Sequence, residues 1–172
     1  MSRIKDWIFT YRAGKEPKRE VIFPQFDNVR SVLVLFESDF TEKNPVIKSI
    51  AEQLRQEDKD VVLWGYCDKK DIQSPILPQL RIVGRRDFGF LGQPKDEMIA
   101  DLQKRQYDLL IDLTQHTNRC LRYLALYARA NFKTGMNLQI GIHDLLINTE
   151  PQDTPQFLFE QIVKYLKMIQ PK

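Results

Sequence analysis

Two largely apolar runs constrain the fold more than any other feature of the chain. The segments are "SVLVLF" (31–36) and "YDLLIDL" (107–113), and both are rich in aliphatic or β-branched residues. Neither run alternates with polar residues as a half-exposed strand does. Such runs are typical of strands that are covered by helices on both faces. Weaker strand candidates lie at 60–65, 81–88, 132–136 and 144–149, and Gly65 is predicted to end the second strand.

Segments with helical periodicity separate these strands. The sequence predicts helices at about 45–56, 94–105 and 118–130 and a last helix from Pro155, with 67–80 as a loop. Strands that alternate with helices in this way form right-handed βαβ units. We therefore predict an α/β fold: a single three-layer Rossmann-like domain over residues 1–172, with a mostly parallel sheet and helices on both faces. Strands 31–36 and 107–113 are expected side by side at its centre.

Residues 1–30 are predicted to form an N-terminal helix and an extended lead-in. Ile4, Trp7, Ile8 and Tyr11 recur at helical spacing among several basic residues. One interpretation is an interfacial helix on an anionic membrane. The other is a short helix whose apolar stripe packs on the domain, and the short stripe with one large aromatic anchor favours it. Peripheral membrane contact through this helix is therefore disfavoured.

Composition and charge exclude several classes of protein. The net charge of +3 comes from interspersed residues of both signs, so no nucleic-acid partner is expected. No apolar run approaches the roughly 18 residues of a transmembrane helix, and no signal peptide is evident. Cys67 and Cys120 form no zinc-ligand pattern, so no metal is expected, and two scattered thiols fit a reducing cytoplasm.

Polar residues follow the two central strands. In sheets of this kind ligands bind at the carboxyl ends of the strands, where the strand order reverses. The loops "ESDFTEKN" and "TQHTNR" would meet there. The predicted ligand-binding residues are Ser38, Thr41, Thr114, Gln115, His116, Asn118 and Arg119. Asp39 and His116 are the candidates for a catalytic base, and Asn118 with Arg119 could hold an anion at a helix start.

The same cluster has a structural explanation. Thr117 or Asn118 is a suitable N-cap for the following helix, and Thr114 to His116 could be a solvated turn. The motifs GxGxxG, GxxxxGK[ST] and GxSxG are all absent from the sequence, so no cofactor is expected. His143, the other histidine, is predicted to have a structural role near a sheet edge.

Two resemblances follow from these segments. The order "FLGQPK", helix, "YDLLIDLTQ", "LRYLALYARANFKTGM" resembles a domain-of-unknown-function family of small bacterial proteins, which implies no activity. The stretch 107–136 is similar to heptosyltransferase-like glycosyltransferases, with Asp108, Asp112, Lys133 and Gly135 at matching positions. That resemblance implies two Rossmann-like halves with the reaction between them, of which this chain would supply the first. Those enzymes carry a Gly-Asp base after the first strand, and Asp39 is the nearest residue here.

The sequence therefore supports two functions. The first is a non-enzymatic cytosolic domain that binds a small polar or anionic ligand, or a protein partner, at the carboxyl-end crevice. The alternative is a glycosyltransferase-like transferase completed by a partner or a second subunit.

Overall fold

The predicted alternation of strands and helices produces a three-layer α/β structure. The structure is a computed structural model, and it describes residues 2–38, 44–70, 72, 77–136, 141–150 and 153–169. Its strands are β1 (Ser31–Glu37), β2 (Asp60–Cys67), β3 (Leu80–Gly84), β4 (Tyr107–Asp112), β5 (Ala130–Met136) and β6 (Leu145–Ile147). Its α-helices are α1 (Ser2–Lys15), α2 (Pro45–Gln56), α3 (Asp96–Leu102), α4 (Arg119–Tyr127) and α5 (Pro155–Met168).

All six strands are parallel, in the order β3-β2-β1-β4-β5-β6. This is the Rossmann-like order, and it confirms that the strands at 31–36 and 107–113 are central neighbours. Val34 of β1 is in register with Leu63 of β2 and with Ile111 of β4. The order reverses between β1 and β4, so the two loops predicted to form a crevice leave the sheet at adjacent points.

Both faces of the sheet are covered by helices, which explains the largely apolar runs. One core cluster joins the sheet to α2 and α5, and the other joins it to α1, α3 and α4. Alternate residues of β1 and β4 enter opposite clusters, as the two-residue period of a strand requires. Val34 and Ile111 belong to the first cluster, and Leu35 and Leu110 belong to the second.

Several predicted boundaries are wrong. β2 continues to Cys67 through Gly65, where an added Cβ would lie 2.6 Å from Phe36 and 2.8 Å from Ile82. Gly65 therefore makes room for neighbouring side chains and does not end the strand. β3 ends at Gly84, and a 3-10 turn follows at Arg85–Asp87. β5 begins at Ala130, within the predicted fourth helix, because the tertiary pairing of Tyr107 with Ala130 outweighs local helix propensity.

The interpretation of α1 is also wrong in one respect. Its buried residue is Phe9, whose ring meets Tyr123 edge to face at 4.8 Å between centroids. Of the four residues predicted to pack on the domain, Ile4, Trp7 and Tyr11 are exposed and Ile8 is half-buried. The helix packs through the face opposite to the predicted one.

Candidate functional site

The carboxyl ends of β1 and β4 place two acidic residues side by side. β1 ends at Glu37 and β4 ends at Asp112, and the two strands are hydrogen-bonded neighbours. The chain then leaves the core, and α4 begins at Arg119. This is the point at which ligands bind in open α/β sheets. We call the surface between Glu37 and the segment 112–118 the carboxyl-end crevice.

An outer carboxylate–imidazole pair lies at the rim of the crevice. The Nδ1 atom of His116 is 3.1 Å from Oε2 of Glu37. The same carboxylate oxygen accepts a hydrogen bond from the backbone N–H of Gln115 at 3.4 Å. The His116 side chain is 82% exposed. The ring is therefore held in one orientation by Glu37 while its other nitrogen faces solvent.

An inner carboxylate–imidazole pair lies beneath the first. Oδ2 of Asp112 is 3.1 Å from Nε2 of His143, and the two side chains are only 9% and 8% exposed. The other carboxylate oxygen, Oδ1, accepts hydrogen bonds from the backbone N–H of Thr114 at 3.0 Å and from its hydroxyl. Nδ1 of His143 is buried and has no hydrogen-bond partner among the residues that the structure describes. A buried polar atom of this kind is costly unless another group satisfies it.

Gly135 allows His143 to reach Asp112. A Cβ at position 135 would lie 2.8 Å from Nε2 of His143, so a larger residue would displace the ring from the carboxylate. Asp112 and His143 also line a cavity of about 20 Å³, together with Thr114, His116, Thr117, Asn118, Arg122, Met136 and Ile142. That volume holds a group about the size of one water molecule. We call this cavity the niche.

The predicted site residues are only partly brought together. Thr114, His116 and Asn118 line the niche, while the side chain of Gln115 turns away and donates to the backbone carbonyl of Asp153. The backbone N–H of Ser38 donates to the carbonyl of Tyr66 at 2.8 Å. Asp39 and Thr41 lie outside the described residues.

Arg119 has a structural partner. Its Nη2 atom is 3.5 Å from Oδ1 of Asp6 on α1, and Nη1 of Arg122 is 3.4 Å from the same oxygen. The methylene groups of Arg119 also pack against Gly92, because a Cβ there would lie 3.0 Å from Cδ. Both arginines therefore attach α1 to α4.

Asn118 is the N-cap of α4. Its side-chain oxygen accepts a hydrogen bond from the backbone N–H of Leu121 at 3.1 Å. We predict that Asn118→Ala lowers the free energy of unfolding by about 1 kcal/mol, because this N–H loses its acceptor. Urea unfolding measures the change, with Asn118→Ser as the matched control that keeps a capping oxygen. An unchanged midpoint for Asn118→Ala would show that the cap contributes nothing.

Two residues of the glycosyltransferase pattern lie away from the crevice. Asp108 accepts hydrogen bonds from the backbone N–H groups of Arg30 and Ser31, each at 2.9 Å, at the opposite end of the sheet. Burial acts to raise the pKa of Asp108, but these bonds outweigh it and lower the pKa. Lys133 is buried and donates to the carbonyls of Ala125 and Leu126 at the end of α4. Burial lowers the pKa of Lys133 to about 7.

The inner pair was missed when the sequence was interpreted. Asp112 ends a buried central strand, and an acidic residue at that point is a signal for a site. His143 carries no local signal, because its position before β6 shows nothing about its contact with β4.

Within the described ranges, no group of three or more His, Cys, Asp and Glu side chains could hold a metal ion, and no helix is long and apolar enough to cross a membrane.

Comparison with known proteins supports the fold. No curated protein matches the chain. Among solved structures, E. coli heptosyltransferase WaaC with ADP is similar at a TM-score of 0.50 and 17% sequence identity. The match covers 76% of this chain and 46% of that one, so the chain spans less than half of the enzyme's length. At this identity the likeness concerns the fold alone. Residues 8–169 match a family of unknown function, and the chain therefore belongs to the family DUF6913.

Proposed function

We propose that this protein is a non-enzymatic binding domain that takes a small, hydroxyl-bearing ligand at the carboxyl-end crevice. The observation that carries the proposal is the inner pair, in which Asp112 orients His143 while Nδ1 of that buried ring has no partner among the described residues. A ligand group in the niche would satisfy this nitrogen. The sparse and scattered cysteines, Cys67 and Cys120, support a location in the reducing cytoplasm.

The hydrogen-bond polarity of the crevice favours donors on the ligand. In its neutral form, His143 donates to Asp112 through Nε2, so Nδ1 is an acceptor. His116 donates to Glu37 through Nδ1 in the same way, so Nε2 is an acceptor. The two carboxylates add negative charge, and terminal nitrogens of Arg119 and Arg122 contact Asp6. The buried Nε of Arg122, which lines the niche, is a donor without a partner among the described residues. A hydroxyl group can donate to the imidazoles and also accept from this nitrogen, so hydroxyl groups suit the crevice better than phosphate groups.

The size of the niche limits how a ligand enters. A cavity of about 20 Å³ accepts one hydroxyl group and excludes a ring. The remainder of the ligand would lie across the rim, where the exposed nitrogen of His116 can accept a second hydroxyl. Two acceptors at different depths favour a polyol or a sugar over a ligand with one hydroxyl.

The test is a thermal-shift and calorimetric titration with free sugars, polyols, sugar phosphates and sugar nucleotides. We expect sugars or polyols to stabilise the fold, by about 2.7 kcal/mol at 100 times the dissociation constant. His116→Ala should weaken binding by about tenfold, the loss of one hydrogen bond of about 1.4 kcal/mol. It should leave stability unchanged because the ring is exposed. Lys164→Ala, an exposed change on α5, is the control.

Other results would redirect the proposal. Stabilisation by phosphorylated compounds alone would contradict the donor-ligand argument. If no compound binds, but a protein partner binds the wild-type chain and not the His116→Ala variant, the crevice is a protein-binding surface.

A transferase is the second candidate, and the orientation of the imidazoles is what favours it. A ring held by a carboxylate with its second nitrogen free is suited to remove a proton from an acceptor hydroxyl. The similar heptosyltransferase structure contains ADP, and this chain would need a partner or second subunit to complete such a cleft. Release of nucleotide from sugar nucleotides by the purified chain, lost in both His116→Ala and His143→Ala, would establish this alternative over simple binding.

A further inference from the structure

α1 presents apolar side chains to solvent on the face that points away from the domain. Ile4, Trp7 and Tyr11 are exposed, and the rings of Trp7 and Tyr11 stack at 5.8 Å between centroids. The buried residue, Phe9, lies on the opposite face. Phe9 packs against Tyr123 of α4, and Asp6 contacts Arg119 and Arg122 of the same helix. The exposed stripe is therefore a consequence of how α1 is attached.

Basic residues surround the stripe. α1 contains Arg3, Lys5, Arg12 and Lys15, and its single acidic residue is Asp6, which faces α4. Lys15 lies 4.4 Å from the centre of the Tyr11 ring. Lys5 lies 4.7 Å from the centre of the Phe90 ring, and Phe90 is itself exposed. We call the surface formed by Ile4, Trp7, Tyr11, Phe90, Arg3, Lys5 and Lys15 the α1 outer face.

We propose that the α1 outer face docks on an anionic lipid surface. Trp and Tyr rings have an apolar body and a polar edge, which suits the boundary between head groups and acyl chains. Lysine and arginine side chains can cover that boundary with their methylene groups while their charges meet anionic head groups. Aromatic rings flanked by cations on one exposed face would let α1 lie in the plane of the interface.

The charge argues against a second copy of the chain as the occupant. Two outer faces in contact would bring the cations of one α1 against those of the other. Like charges directly opposed across an interface are unfavourable, and the one carboxylate of α1 is already paired with Arg119 and Arg122. An anionic partner surface has the complementary sign.

The experiment is co-sedimentation of the full chain with phosphatidylcholine vesicles, with and without phosphatidylserine. We expect binding to the anionic vesicles that falls as salt is raised. Trp7→Ala should lower the partition coefficient by about tenfold, because one large aromatic anchor is lost. Tyr165→Ala removes an exposed aromatic residue from α5 and should leave binding unchanged. Arg3→Glu with Lys15→Glu should also lower binding by at least about tenfold.

Tryptophan fluorescence gives a direct readout of the contact. The chain contains two tryptophans, of which Trp7 is 67% exposed and Trp64 only 5%. The fluorescence emission of Trp7 should therefore shift to shorter wavelength when the chain binds vesicles, and the Trp64→Phe variant should show the same shift.

Three results would overturn the proposal. The first is no sedimentation with anionic vesicles, and the second is equal binding to neutral vesicles. The third is a dimer in sedimentation velocity that Trp7→Ala dissociates, since the face would then be covered by a second copy. If the chain binds an acidic protein but does not sediment with anionic vesicles, the lipid proposal is also wrong.

Discussion

Replacing Ile111 by alanine is expected to lower the free energy of unfolding by roughly 2–5 kcal/mol. Ile111 is fully buried at the centre of β4, in register with Val34 of β1 and Thr134 of β5. The change removes apolar contacts and leaves a cavity that the strands on either side cannot close. Urea unfolding followed by circular dichroism measures the loss.

Two control variants separate burial from side-chain chemistry. Ile4→Ala makes the same substitution at an exposed position on α1 and should change stability by less than about 0.5 kcal/mol. Ile111→Val removes one methyl group and should cost about 0.5–1.5 kcal/mol. A loss of less than about 0.5 kcal/mol for Ile111→Ala would be inconsistent with a packed core at β4.

Removal of the Asp112 carboxylate is expected to be the second large effect. Asp112→Ala should lower the free energy of unfolding by roughly 2–4 kcal/mol. The reason is that the backbone N–H and hydroxyl of Thr114 and Nε2 of His143 all lose their acceptor in a buried setting. The measurement is again urea unfolding, and unlike Ile111→Ala this change removes little apolar contact.

A double-mutant cycle isolates the inner pair from the rest of the site. Asp112→Ala, His143→Ala and the double variant should give a coupling energy of about 1 kcal/mol or more. Thr114→Val, which removes the hydroxyl and keeps the backbone N–H, is the control for the second contact of Asp112. Additive losses for the two single variants would mean that Asp112 and His143 do not stabilise each other.

The central part of the fold could be predicted because its signals are local. The segments around Val34 and Ile111 are largely apolar and do not alternate with polar residues, as expected of strands covered on both faces. An N-cap at Thr117 or Asn118 could be predicted for the same reason, since both precede a helical period and have a side-chain oxygen, and the structure shows that Asn118 is the cap. The boundaries at Gly65 and Ala130 could not be predicted, because each depends on side chains or a strand from a distant part of the chain.

The sequence proposed a place for the candidate site but not the contacts within it. Strand ends that turn polar suggested the crevice and His116, whereas its partner Glu37 appeared only as the first residue of the loop "ESDFTEKN". The pairing of Asp112 with His143 joins residues 31 positions apart. It depends on Gly135, which leaves no side chain between them. No local sequence pattern predicts a contact of this kind.

The sequence by itself determined the α/β class, the parallel central strands and the polar edge at which they end, because periodicity and capping act over a few residues. Only the tertiary structure decided which face of α1 is buried and which acid meets which imidazole. For α1, local spacing favoured the stripe of Ile4, Trp7 and Tyr11 as the buried face. In the structure Phe9 is inward instead, and its ring packs against Tyr123, more than a hundred residues away in the chain. For the orientation of α1, contacts between distant segments contribute more free energy than the amphipathic spacing within one short helix.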